Sequence, residues 1–304
     1  MKEKILILGC SGFVGHALME HFTRSKEDDV AGTFLTHKPE SKKGAWEKID
    51  VCIPQQLTDL LKKFKPTVIV NTVAIGNVEP CEKDKALCSK INISPTQEIV
   101  QYCKSHPETK YVFFSSDHVF QGGMQRPYQE TDAMNPINYY GQTKLRCEEL
   151  ITSALPNYAI IRPCFIFGLP QPHHHSNLFF TIYNHLKQHS KFNAYIDKIR
   201  SPCYVKDLPL VIEEIIRKHK KGTFHAGGVP ITVYHFGREI AKYFQFNEKL
   251  VIGIPSNEQE FPPRPRNCAL DNSHTEKELG IRFRTLEEAF RDIKKELSRE
   301  GLWC

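Results

Sequence analysis

Mainly apolar runs alternate with helix-like segments along the first half of the chain. The runs occupy residues 5–8, 30–35, 67–71, 110–114 and 158–163. Short continuous runs of this kind are typical of parallel strands that are covered on both faces. The segments between them, such as residues 55–65, place apolar residues at helical spacing. Because strands and helices alternate, the pattern predicts an α/β fold with a Rossmann-type, doubly wound parallel sheet.

The pattern changes after residue 168, where a stretch rich in proline and histidine begins. Helical segments near residues 178–188 and 208–218 follow, and residues 222–226 favour a strand that returns to the sheet. We therefore predict a Rossmann domain over residues 1–168, completed by a returning segment near residues 203–228. Residues 169–202 and 229–304 are predicted to form a smaller C-terminal α/β domain.

A glycine-rich loop follows the first predicted strand directly. Its sequence is Gly9-Cys10-Ser11-Gly12-Phe13-Val14-Gly15, and a helical pattern comes after it. Strand, glycine turn and helix together form the context in which a helix N-terminus binds a dinucleotide pyrophosphate. We expect Gly9, Ser11, Gly12, Phe13, Val14 and Gly15 to contact such a cofactor. A purely structural strand-turn-helix connection is the alternative.

The ends of the next strands supply further cofactor candidates. Thr36-His37-Lys38 follows the second strand and contains no acid. A base at this position favours NADP(H) and an acid favours NAD(H), so we predict NADP(H), with NAD(H) as the alternative. His37 and Lys38 are the candidates for the 2′-phosphate, unless they are simply exposed loop charges. Asp50 and Val51 are placed near the adenine, and Thr72, Val73 and Ala74 at the end of the strand over residues 67–71.

Tyr140 and Lys144 are the strongest candidates for chemistry. Residues four apart lie on one helix face, so the phenol and the ammonium can point into the same cleft. The cation is expected to lower the tyrosine pKa, which makes the pair a plausible proton-transfer device. Ser116 follows the strand at residues 110–114. Because ligands of open α/β sheets bind at this edge, we expect Ser116 to hold the reacting oxygen.

Composition narrows the class of protein. The net charge of +6 is modest and its charges are interspersed, so we predict no nucleic-acid binding. The ten cysteines include no C-x-x-C pair, and we interpret them as free thiols of a cytoplasmic protein. No apolar run is long enough for a membrane span. His173, His174 and His175 do not share a helix face, so we interpret them as a polar loop and predict no metal site.

Several motifs together resemble a known family over nearly the whole chain. They are Gly9-x-x-Gly12-x-x-Gly15, Ser115-Ser116-Asp117-His118-Val119-Phe120, Tyr140-Gly141-Gln142-Thr143-Lys144-Leu145, and Arg264-Pro265. This set resembles the extended short-chain dehydrogenases/reductases, and within them the dTDP-4-dehydrorhamnose reductase (RmlD-like) family. The resemblance implies an NAD(P)-binding Rossmann domain, a C-terminal substrate-binding domain and reduction of a nucleotide-linked 4-keto sugar.

The resemblance also implies roles for single residues. Ser116, Tyr140 and Lys144 fall on the catalytic triad. Tyr140, Lys144, Asn92 and Arg162 are implied as cofactor contacts, and Ser116, His118, Phe165 and Arg264 as substrate contacts. His118 stands where the family usually has tyrosine, and Phe165 where some members have tryptophan. These departures leave the sugar open.

Two alternatives share the same motifs. The family includes a non-catalytic branch, the regulatory β subunit of methionine adenosyltransferase, so an NADP-binding interaction protein is one alternative. A nucleotide-sugar epimerase or dehydratase is the other, although Ser116-Asp117-His118 supplies only one of the two acids that dehydratases carry. The expected partner is a nucleotide sugar, and a homodimer is left open.

Overall fold

The structure is a computed structural model that describes residues 2–24, 27–38, 44–257, 259 and 261–299. Its strands are β1 Lys4–Leu8, β2 Asp29–Phe34, β3 Ala45–Lys48, β4 Val68–Asn71, β5 Lys110–Phe114, β6 Tyr158–Pro163, β7 Ile166–Phe167, β8 Phe192–Tyr195, β9 Ile199–Arg200, β10 Cys203–Tyr204, β11 Gly222–Ala226, β12 Ile231–Thr232 and β13 Val251–Ile254.

The helices alternate with these strands. They are α1 Phe13–Phe22, α2 Pro54–Phe64, α3 Val78–Lys83, α4 Lys85–Asn92, α5 Ser94–Ser105, α6 Tyr139–Ala154, α7 Leu178–Lys187, α8 Leu208–Arg217, α9 Val233–Tyr243, α10 Ser273–Leu279 and α11 Leu286–Arg299. Within the described ranges, no helix is both long enough and apolar enough to cross a bilayer.

Seven strands form one sheet in the order β11-β6-β5-β4-β1-β2-β3. Every neighbouring pair in this sheet is parallel. The predicted Rossmann-type fold is therefore confirmed, including the strand that returns at β11 and pairs with β6. The edge strand β3 was not predicted from the sequence.

Strand alternation places helices on both faces of the sheet. On β1, Ile5 and Ile7 pack into a layer with helices α1, α8 and α10. Leu6 and Leu8 point the other way, into a layer with α2, α5 and α6. All four side chains are fully buried, as the continuous apolar run predicts for a strand covered on both faces.

The C-terminal half adds a separate aromatic cluster. Helices α7, α9 and α11 meet around Phe179, Phe236 and Phe290, and the short strands β8 and β13 pair beside them. This cluster occupies the region predicted as the smaller domain. The domain boundaries at residues 168, 203 and 228 stay a prediction.

The segment before β5 differs from expectation in two ways. The sequence favours a largely helical segment over residues 82–103 with a possible break near Ser94-Pro95. The structure has that break, between α4 and α5, and a second one at Asp84, which ends α3 and caps α4 by accepting from the Leu87 N–H. This break brings Cys81 and Cys88 together, with their Cα atoms 5.1 Å apart, and they form a disulfide. The prediction of free thiols throughout is therefore wrong for this pair.

Candidate active site

A cavity of about 340 Å³ opens at the C-terminal edge of the sheet, beside the N-terminus of α1. Eight residues predicted to bind a cofactor line it: Gly9, Ser11, Gly12, Asp50, Val51, Thr72, Val73 and Ala74. This edge is where open α/β sheets bind their ligands. A larger cavity of about 620 Å³ lies between α2 and α5 at the opposite edge, away from every predicted site residue.

The glycine loop has the geometry that a phosphate needs. Gly9 has a φ of +81°, and the Gly12 N–H donates to the Gly9 carbonyl at 2.9 Å. A Cβ atom at Gly15 would lie 2.3 Å from that same carbonyl oxygen, so only glycine lets the helix approach the strand this closely. No side chain caps α1 at Gly12, so the first-turn amides of this helix could donate to an anion.

The remaining predicted loop residues lie beside the cavity. Phe13 and Val14 begin α1 and, like the buried Gly15, do not line the cavity. His37 and Lys38 are exposed just after β2, and the His37 ring stacks on His173 with ring centres 5.2 Å apart.

Sequence reasoning missed a group of residues that close the cavity from the sides. Leu35 and Leu87 are 51% and 46% exposed although both are large and apolar, and both contribute apolar surface to the cavity. The position of Leu35 at the end of a predicted strand could have indicated that it lines the cavity. No sequence feature indicates this for α4, because only the fold brings that helix to the cavity. The missed lining residues are Thr33, Phe34, Leu35, Ile49, Cys52, Leu87, Lys90 and Ile91.

The structure buries Asn92 and Arg162, whose contacts with a cofactor stay predictions. Asn92 is buried behind the cavity wall, where Oδ1 accepts from the Ile75 N–H at 2.8 Å and Nδ2 donates to Thr143 Oγ1 at 3.0 Å. Arg162 is buried as well, and its Nη2 and Nε donate to the two carboxylate oxygens of Glu148 at 2.6 and 3.0 Å. Both side chains brace the elements around the site.

The fold brings Ser116, Tyr140 and Lys144 together beside this cavity. Ser116 caps a short 3₁₀ turn after β5, and Tyr140 lies in the first turn of α6, which Asn138 caps by accepting from the Gly141 N–H at 2.9 Å. A Cβ atom at Gly141 would lie 2.2 Å from the His118 carbonyl oxygen. Glycine at this position therefore lets the start of α6 pack directly against the turn that carries Ser116.

The electrostatics of the pair differ from the prediction. Burial raises the pKa of Tyr140 to about 12, and a hydrogen bond with Ser116 opposes that rise. Burial lowers the pKa of Lys144 to about 8. The Lys144 ammonium donates to the Phe114 carbonyl at 2.7 Å and lies 5.8 Å from the centre of the Tyr140 ring. The expected lowering of the Tyr140 pKa is wrong here, because desolvation of the phenol dominates.

The three remaining substrate candidates surround this group. Asn138 Nδ2 donates to Nδ1 of His118 at 3.0 Å, which leaves the hydrogen of the neutral imidazole on Nε2, and burial lowers the His118 pKa. Phe165 is half-buried and packs edge-on against Phe236 at 5.2 Å. Arg264 forms an ion pair with Glu79. Their contacts with a substrate stay predictions.

Comparisons with known proteins agree with this architecture. The model of the family described as the RmlD substrate binding domain matches residues 2–299. The methionine adenosyltransferase 2 subunit beta of Bos taurus is 28% identical over 291 residues, covering 93% of this chain and 84% of that protein.

Two solved structures have closely similar folds. A hypothetical dTDP-4-dehydrorhamnose reductase from Sulfolobus tokodaii is 28% identical with a TM-score of 0.82, covering 94% of this chain and 97% of that one. A dTDP-4-dehydrorhamnose reductase from Bacillus anthracis in complex with NADP is 23% identical with a TM-score of 0.85, covering 97% and 100%.

Proposed function

Because the chain belongs to the RmlD substrate binding domain family, we propose that it is an NAD(P)H-dependent reductase of a nucleotide-linked 4-keto sugar. The first candidate substrate is dTDP-4-dehydrorhamnose, because two solved structures similar to this chain are named as dTDP-4-dehydrorhamnose reductases. The observation that supports it most directly is the convergence of Ser116, Tyr140 and Lys144 next to a glycine-loop cavity.

The cavity fits the adenosine and pyrophosphate parts of a dinucleotide. Gly9, Ser11 and Gly12 would approach the pyrophosphate, while Asp50 and Leu87 border the slot for the adenine. The bound nicotinamide would supply the hydride. Lys144 would hold the nearby ribose hydroxyls, in addition to its bond with the Phe114 carbonyl.

The side chains of the chain would manage the proton. Tyr140 donates its phenolic proton to the carbonyl oxygen of the substrate as negative charge develops there. Ser116 donates a second hydrogen bond to the same oxygen and orients it. The raised pKa of Tyr140 keeps the phenol protonated near neutral pH, which a proton donor requires.

The test is turnover with a panel of nucleotide-linked 4-keto sugars that begins with dTDP-4-dehydrorhamnose. We expect loss of nicotinamide absorbance with at least one of them, and with NADPH more readily than NADH because His37 and Lys38 follow β2 without an acid. A fluorescence titration in which NADH binds more tightly would contradict the NADPH preference. Absence of turnover across the whole panel would contradict the reductase.

The similarity to methionine adenosyltransferase 2 subunit beta supports a second candidate, a regulatory subunit that binds NADP without catalysis. The triad does not distinguish the reductase from the regulatory subunit, because the motifs that contain Ser116, Tyr140 and Lys144 are common to both branches of the family. Co-purification with a methionine adenosyltransferase catalytic subunit, combined with NADPH binding and no turnover, would favour this candidate.

A further inference from the structure

Two histidines from the segment after β7 fold back onto the glycine loop. Nε2 of His173 and Nε2 of His174 each lie 3.1 Å from the carbonyl oxygen of Ser11. A carbonyl oxygen only accepts hydrogen bonds, so both Nε2 atoms carry a hydrogen. Residues 169–177, which we call the strap, therefore connect the C-terminal half of the chain to the edge of the candidate cofactor cavity.

His174 is the fixed part of this strap. Its Nδ1 accepts from the Gln171 N–H at 3.1 Å, so a neutral imidazole satisfies both of its nitrogens. The ring packs edge-on against Phe13 and His16, with centres 5.8 Å apart in each case. Burial lowers the His174 pKa to about 4, which agrees with a neutral, structural ring.

His173 is placed differently. It is exposed, and its ring stacks on His37 at 5.2 Å with an interplanar angle of 22°. Nδ1 of His37 is paired with Thr36 Oγ1 at 3.0 Å, whereas Nδ1 of His173 has no hydrogen-bond partner within the described parts of the chain. Lys38 follows directly and is also exposed. Basic side chains from two distant segments thus meet after β2.

We propose that His173 joins His37 in binding the phosphate on the 2′ position of the adenosine ribose of NADPH. A residue of the segment after β7 would then contribute to cofactor choice together with the end of β2. This inference rests on the proposed function, because it assumes that the cavity holds the adenosine half of the cofactor.

Phosphate binding by His173 has a clear hydrogen-bond requirement. Phosphate oxygens only accept hydrogen bonds, so Nδ1 of His173 must carry a hydrogen in the complex, in addition to the hydrogen on Nε2 that faces the Ser11 carbonyl. The other titratable and charged groups near these rings are His16 and Glu20 on α1, Lys38 after β2, His174 in the same segment, and Lys206. Lys206 is already paired with Glu296.

This contact would distinguish NADPH from NADH, because only NADPH carries a phosphate on the 2′ position of the adenosine ribose. The loss of His173 should therefore weaken NADPH binding and leave NADH binding unchanged. A role for His173 in packing alone would not produce that difference.

The experiment is isothermal titration calorimetry of the full chain with NADPH and with NADH. In His173→Gln we expect the Kd for NADPH to rise about tenfold, the loss of one charge-assisted hydrogen bond, with an unchanged Kd for NADH. His175→Gln is the matched control, because His175 is an exposed histidine of the same segment. It should leave both affinities as they are.

Three outcomes would overturn the inference. Wild-type affinity for NADPH in His173→Gln would show that the ring does not meet the phosphate. An equal loss for NADPH and NADH would place its role at the shared pyrophosphate or in the strap. Failure of the wild-type chain to bind either dinucleotide would remove the proposed function together with the inference. If His173→Gln does not fold, His37→Gln tests the same pair with the same expected selectivity.

Discussion

The buried ion pair between Arg162 and Glu148 leads to a strong mutational prediction. Each side chain is only 3% exposed, and the Glu148 carboxylate also accepts from the Ser115 hydroxyl. One carboxylate therefore joins α6, β6 and the end of β5, the elements that carry or flank the candidate triad. Arg162→Met keeps an apolar body but removes every donor that the guanidinium directs at this carboxylate.

Removing one partner of a buried pair costs about 3–5 kcal/mol, because the other charge stays buried without compensation. At roughly 2 °C per kcal/mol for a chain of this size, the Tm should fall by about 6–10 °C. Urea unfolding followed by circular dichroism measures the loss directly. Replacing both partners, Arg162→Met with Glu148→Leu, should recover much of it, since the uncompensated charge is then gone.

Arg282→Met is the control, because Arg282 makes a similar two-pronged pair with Glu288 at the surface, at 3.0 and 2.8 Å. Its side chain is 64% exposed, and surface pairs contribute about 0–1 kcal/mol. The reasoning fails if Arg162→Met unfolds within about 1 kcal/mol of the wild type while its Kd for NADPH rises. That result would support the prediction that Arg162 contacts the cofactor directly.

Three further predictions address the site and its surroundings. Tyr140→Phe should lower turnover by about 10²–10⁴-fold with little change in the Kd for NADPH. Tyr139→Phe is the control and should keep wild-type turnover. If rate assays show the same turnover for both variants, Tyr140 is not the proton donor. Burial lowers the pKa of His225 to about 3, below the value of about 6.5 in the unfolded chain. As the pH falls from about 6.5 toward 3, the unfolded chain is protonated first, so the free energy of unfolding decreases over this range. In urea titrations between about pH 6 and 4, His225→Gln should flatten that fall by up to about 1.4 kcal/mol per pH unit, and an unchanged slope would contradict it. Arg264→Gln should raise the KM for the nucleotide sugar about tenfold and leave NADPH binding unchanged. An unchanged KM would show that Arg264 serves only in the ion pair with Glu79.

The sheet could be predicted where burial on both faces leaves a continuous apolar run. Strand β1 is such a case, and its predicted and observed positions agree closely. Strand β3, Ala45–Lys48, lies at the sheet edge and contains both Glu47 and Lys48. Its pairing comes from backbone hydrogen bonds to β2, which leave no hydrophobic pattern in the sequence.

The role of Arg162 could have been inferred from strand parity. Ile160 packs in the layer that contains Cys147 and Ile151 of α6. Side chains two apart on a strand share a face, so Arg162 faces α6 as well, where Glu148 follows Cys147. By contrast, no local pattern places Leu87 of α4 at the cavity, because that position depends on how α3, α4 and α5 pack around the break at Asp84.

The Tyr140 pKa shows what charge spacing alone leaves out. The spacing takes account of the Lys144 cation four residues away but not of the hydration that the phenol loses on burial. In this structure the loss of hydration dominates the pKa shift of Tyr140. The direction of this shift suits a reductase. A phenol with a pKa of about 12 is fully protonated near neutral pH, and it is still a far stronger acid than water, whose pKa is about 15.7. It can therefore give its proton to an oxygen that is becoming an alkoxide. Oxidation of an alcohol would need the same residue as a phenolate, the form that burial disfavours, so the direction of this pKa shift agrees with the proposed reduction.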